Sequence, residues 1–95
     1  MHFLYILYSK ASDSYYVGET ADLDTRLAKH ISHSYKGSFT KIAEDWELVL
    51  TFTCLSRSQA VVLERFIKRM KSRKFIQKII DNPEILQEIL SKTEI

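Results

Sequence analysis

Phe3-Leu4-Tyr5-Ile6-Leu7-Tyr8 is followed by the polar Ser9-Lys10-Ala11-Ser12-Asp13-Ser14 and then by Tyr15-Tyr16-Val17-Gly18. Two aromatic and β-branched runs of strand length, divided by turn-forming residues, predict a β-hairpin with a longish turn. Beyond it the period changes. Thr20 can cap a helix, Asp22 and Asp24 fall where the N-terminal dipole favours acids, and Leu23, Leu27 and Ile31 recur at helical spacing. A first helix to about residue 33 is expected.

Residues 34–45 lack a clear period, and Gly37 marks a loop within them. Trp46, Leu48, Leu50, Phe52 and Cys54 then alternate with Glu47, Val49, Thr51, Thr53 and Leu55, which predicts a third strand with one strongly apolar face. Ser56-x-x-Gln59 has capping-box spacing, and Leu63, Phe66, Ile67 and Met70 form the stripe of a second helix. Phe75, Ile76, Ile79 and Ile80 continue after the break Lys71-Ser72-Arg73-Lys74 as a separate short helix. Asn82-Pro83 reads as the N-cap and first position of a last one, with Ile85, Leu86, Ile89 and Leu90 as its apolar side. The order ββαβααα implies an α+β fold, a three-stranded antiparallel sheet flanked by helices. A helix separates the second strand from the third, so the strand order does not follow.

Ninety-five residues are expected to make one domain, residues 1–95, with a core over about 2–80 and a C-terminal helix over about 83–92. A 45% hydrophobic share with 27% charged residues suits a globular protein, and no apolar run approaches the roughly 18 residues of a spanning helix. No membrane role is expected. Met1-His2-Phe3 opens directly into a strand with no basic segment ahead of it, so a cytoplasmic location is the default expectation. The single Cys54 permits neither an internal disulfide nor a Cys-rich zinc site. With only Gly18 and Gly37, the glycine-rich loops that cradle nucleotide phosphates cannot be written anywhere.

The net charge of +2 hides a division along the chain: residues 1–56 carry −2, residues 57–78 carry +7 and residues 79–95 carry −3. Local potential governs contact with a polyanion, so the central block is a candidate phosphate-contact surface. Lys68 and Lys71, four and seven residues after Glu64, can share its face, and Arg73 and Lys74 follow. The plainer reading is a solvated helix face.

Phe3-Leu4-Tyr5, then Tyr16-Val17-Gly18-Glu19-Thr20, then Asp22-Leu23-x-x-Arg26-Leu27-x-x-His30, and finally Ala60-x-x-x-Glu64-x-x-Ile67-Lys68 come in an ordered series. This series resembles the GIY-YIG nuclease domain, in particular its small stand-alone bacterial members, over about residues 2–80. The first tripeptide departs from the pattern, with Phe3 and Leu4 where Gly and Ile are typical, yet it keeps Tyr5. Asn82 is better read as a helix cap than as the late asparagine of that family.

The resemblance implies divalent-metal-assisted hydrolysis of a DNA phosphodiester. Branched or damaged DNA is the expected substrate, and since phosphate contacts at the basic block position a duplex without reading its bases, a preference for structure over sequence is expected. The resemblance also implies that Glu64 holds Mg²⁺ or Mn²⁺. One protein carboxylate suits such an ion, which keeps waters and takes other ligands from the substrate phosphate. Arg26 would brace developing negative charge with its planar guanidinium. Tyr5 and Tyr16 match the two motif tyrosines, and His30 matches a site that supports the attacking water or a tyrosine. A phenol titrates near pH 10 and an imidazole near 6.5, so the proton acceptor is left open among Tyr5, Tyr16 and His30.

Each residue also has a plainer reading. The tyrosines can fill a core, Arg26 can pair with Asp22, and Glu64 can pair with Lys68. That account must explain each coincidence separately. Two alternatives stay beside the nuclease: a nucleic-acid-binding module with the fold but no efficient cleavage, and a protein-interaction module in which Tyr8, Tyr15 and Tyr35 form an aromatic patch. A protein partner fits the last. Oligomeric state is not readable from the chain.

Overall fold

The computed structural model describes residues 1–31 and 45–92, with side chains for residues 1–28 and 45–92. Strands β1 (His2–Ser9) and β2 (Ser14–Thr20) form the expected hairpin, and helix α1 (Leu23–Ile31) follows. Strand β3 (Glu47–Cys54) precedes α2 (Arg57–Met70), α3 (Arg73–Asp81) and α4 (Glu84–Ser91). The sheet is antiparallel throughout with the order β2-β1-β3, so the first strand lies in the middle.

That position explains why Leu4, Tyr5, Ile6 and Leu7 are apolar without alternation. Both faces of β1 are covered, and all four side chains are buried. Leu4 and Ile6 join Val17, Leu50 and Cys54 beneath Ala60, Leu63 and Ile67 of α2, with Ile79 of α3 and Leu86 of α4 completing the larger core. Tyr5 and Leu7 point to the opposite face, where Trp46 is buried with them and Tyr16, Leu23 and Leu27 pack against the cluster. Helix α1 therefore covers one face and α2 to α4 the other.

The third strand departs from its expected single apolar face. Ile6 pairs with Leu50 but Leu7 pairs with Leu48, so a bulge at Val49 interrupts the register. The extra residue turns the start of the strand over. Trp46 then packs on the Tyr5 side and Leu48 is 40% exposed, while Leu50 and Cys54 remain in the α2 core.

Three caps differ or agree in ways that matter for the site. The Asp22 carboxylate, rather than Thr20, accepts from the Thr25 amide at 3.2 Å to start α1, and the Thr20 hydroxyl accepts from the Asp22 amide at 3.1 Å. Ser56 caps α2 as expected, its Oγ accepting from the Gln59 amide at 3.3 Å while Gln59 Oε1 accepts from the Leu55 amide at 2.9 Å. Asn82 closes α3 through its backbone amide instead of capping α4 with its side chain, and Pro83 occupies the N-cap of α4.

Candidate functional site

Tyr5 occupies the centre of β1 and pairs with Gly18 of β2. A β-carbon at Gly18 would lie 2.5 Å from the Tyr5 hydroxyl oxygen and 2.6 Å from the ring carbon that bears it. The glycine is there because the tyrosine ring lies over its backbone. Tyr5, one of the three candidate proton acceptors, is fully buried, because the central strand is covered on both sides.

Tyr16, on the edge strand β2, is only partly buried. Its ring centroid is 6.2 Å from that of Tyr5. From the far side of the sheet edge, Lys68 of α2 reaches over the same ring, its Nζ 5.8 Å from the centroid. The same ammonium is 3.7 Å from Glu64 Oε2. Tyr5, Tyr16, Lys68 and Glu64 thus form one continuous series from the core to the rim, drawn from two strands and a helix.

Arg26 is partly buried on α1, between Leu23 and Leu27, the two leucines that pack against the tyrosine cluster. Helix α1 lies on the face of the sheet opposite α2. Asp22, the surface partner considered for Arg26, has its carboxylate engaged by the Thr25 amide at 3.2 Å and hydroxyl at 2.8 Å. His30 falls on the last turn of α1, but its side chain, like the whole of Tyr35, lies outside the described residues.

The basic residues separate into two kinds. Lys71 and Lys74 are exposed. Arg73 is committed: its guanidinium binds the Asp13 carboxylate, donates to the Asp13 carbonyl at 2.8 Å and lies 5.2 Å from the Tyr15 ring centroid. Tyr8 donates to the same carboxylate at 2.7 Å. The Tyr8 hydroxyl and then Arg73 hold the Asp13 carboxyl below the usual aspartate range. No local pattern signals this clasp, since its partners are sixty residues apart in the chain.

A second cluster escaped the sequence reading. His2 Nε2 and Glu19 pair across the end of the sheet, with Arg57 Nε 3.9 Å from the same carboxylate. It continues the flank of α2 that carries Glu64 and Lys68, so the edge of β2 faces Arg57 near one end and Lys68 near the other. Between Tyr16 and the α2–α3 junction opens a groove of about 460 Å³.

Among the described residues no three His, Cys, Asp or Glu side chains gather to hold a metal ion. A one-carboxylate site is a different matter, and Glu64 fits it. Its side chain is 22% exposed, and the Lys68 ammonium beside it is itself 53% exposed. Such a pair is worth only about 0.3–0.5 kcal/mol, so a divalent ion can displace it at little cost.

The chain matches the family described as the GIY-YIG catalytic domain over residues 1–78. It is 36% identical over 74 residues to UPF0213 protein BH0048 of Halalkalibacterium halodurans, a match covering 77% of this chain and 76% of that one. The solution NMR structure of UPF0213 protein BH0048 from Bacillus halodurans superposes with a TM-score of 0.55 at 32% identity, covering 97% of this chain and 98% of that one. Among the described residues no helix is long and apolar enough to cross a membrane. With the family's domain matched from the first strand through most of the third helix, and the same helix-covered sheet in a relative, the chain belongs to the GIY-YIG family of nuclease domains.

Proposed function

We propose that this protein is a divalent-metal-dependent endonuclease that hydrolyses DNA phosphodiester bonds, with branched or damaged DNA as its substrate. The family generally uses divalent metals and its fold suggests nucleic-acid binding. The observation that carries the proposal is the series Tyr16, Lys68, Glu64 at the sheet edge, next to the exposed Lys71. A phenol, a carboxylate and cations at one rim can serve an attacking water, a metal ion and a phosphate.

In this reading Glu64 holds Mg²⁺ or Mn²⁺, which when bound supplies positive charge to the phosphate and to the departing oxygen. Tyr16 meets the attacking water, because it is the motif phenol that reaches the surface, whereas the buried Tyr5 positions it from behind. A phenol ordinarily ionises near pH 10, so accepting a proton at neutral pH needs nearby positive charge, and Lys68 brings it to the Tyr16 ring. Arg26 braces the charge that develops on the phosphate from the α1 side, where a forked guanidinium serves two oxygens at once. Lys68, Lys71, Arg73 and Lys74 form the phosphate-contact surface, with Arg73 ordered by Asp13. His30 is the alternative proton acceptor.

Cleavage of forked, duplex and single-stranded DNA, with Mg²⁺, with Mn²⁺ and with chelator, tests the proposal. Activity should require the ion and fall at least about a hundredfold in Glu64→Gln. Cleavage indifferent to both would sink it. A second reading, DNA binding without efficient cleavage, is favoured by the complete burial of Tyr5. Salt-sensitive binding with no metal-dependent product would establish it instead.

A further inference from the structure

The groove beside β2 has a lining that phosphate contact alone does not call for. Ile76 contributes apolar surface and Tyr15 and Tyr16 aromatic surface, above a floor of the buried Val17 and Ile67. Lys68, Lys71 and Arg73 border it, with Asp13 as the one acid among its lining residues. A duplex held by its backbone needs an exposed cationic face and no apolar trough. Single strands need both, because their bases have apolar faces to cover as well as phosphates to neutralise.

We propose that this groove binds one unpaired nucleotide of a single-stranded segment, its base and sugar over Tyr15 and Ile76 and its phosphate at Lys71. The proposal deepens the nuclease reading and rests on it for one point only, that Tyr16 at the groove's end adjoins the bond to be cut. A volume of about 460 Å³ is in the range of sites for single small ligands.

Two further observations support this occupant. Lys71 ends α2 in the left-handed conformation, with φ 48° and ψ 39°. Glycine or asparagine adopts that conformation at less cost, so a lysine here puts charge at the groove against a backbone preference. Arg73, clasped by Asp13 and laid against Tyr15, keeps 45% of its side chain exposed, so a pre-ordered guanidinium is available at the rim. Its freedom is already lost before binding, which lowers the entropy cost of docking a base or phosphate there.

The test uses the Glu64→Gln protein in chelator, so that nothing is cut, titrated with a short oligothymidylate and with a blunt duplex. Amide and methyl NMR signals report the site and fluorescence anisotropy the affinity. The single strand should shift signals of residues 14–17 and 67–76, and the duplex should leave the Ile76 methyls unmoved. Adding Lys71→Asn, which removes the charge while suiting the left-handed cap, should weaken single-strand binding about fivefold and lower its salt slope by about one. Shifts confined to other surfaces, or an affinity unchanged by Lys71→Asn, would overturn the proposal. So would saturation of the groove by an acidic peptide, added as a strand along β2, with no response to the oligonucleotide. Metal-dependent cleavage by the unsubstituted protein is scored separately, so the groove can fail while the nuclease stands, and the reverse.

Discussion

Tyr5 and Gly18 are a single structural decision: the ring needs the space that any side chain at residue 18 would fill. Because Tyr5 is fully buried, the ring has little room to retreat. Gly18→Ala should therefore lower stability by about 1–3 kcal/mol, read as a lower urea midpoint with an unchanged slope. Arg26→Lys tests geometry against charge at the same scale. Activity should fall at least about tenfold with DNA affinity nearly kept, since an ammonium cannot span two phosphate oxygens. Equal rates would remove Arg26 from the site.

Asp45 makes a pH prediction. The Ser9 hydroxyl donates to its carboxylate at 2.5 Å and the Ala11 amide at 2.9 Å, tying the start of β3 to the hairpin turn. The Ser9 bond, then the Ala11 bond, hold its pKa below the ordinary aspartate value. Asp13 is lowered as well, by Tyr8 and then Arg73, and Asp22 by Thr25. A carboxyl more acidic in the folded chain than in the unfolded one adds stability above its unfolded pKa, and that contribution fades as pH falls through the folded value. Stability should decline below about pH 4, and Asp45→Asn should flatten the decline; thermal melts across that range decide it.

At the scale of elements, α2 matters most, because its buried side roofs β1 and β2 while its flank carries Glu64 and Lys68 past the sheet edge. The helix is started by Ser56 and closed by the left-handed Lys71. Ser56→Ala should cost about 1 kcal/mol by leaving the Gln59 amide without its partner, and loosening the first turn should be visible as faster amide exchange over residues 57–60. Slower exchange, or none of that loss, would show that packing of Ala60 and Leu63 alone holds the turn.

For the molecule as a whole, the charge division has a spatial meaning. The +7 segment is α2 with most of α3, and it borders the edge of β2 where Tyr16 surfaces. Binding to forked DNA should weaken about a hundredfold for about a fourfold rise in salt if roughly four phosphates are contacted. A flat response, followed by anisotropy, would mean that the basic block does not meet the backbone.

The two strand runs, the capping box at Ser56, a third helix following the basic Lys71-Ser72-Arg73-Lys74 stretch, whose last two residues prove to open it, and the ordered motif residues were legible in the chain itself, since each depends on neighbours within about one turn or one hairpin. Burial of Tyr5, the turn-over of Trp46 and Leu48 at the Val49 bulge, and the clasp of Asp13 by Arg73 were decided only by the tertiary structure. Each is a relation between segments whose separation along the chain carries no period. It is settled by which strand takes the centre of the sheet and by the packing of helices on both of its faces.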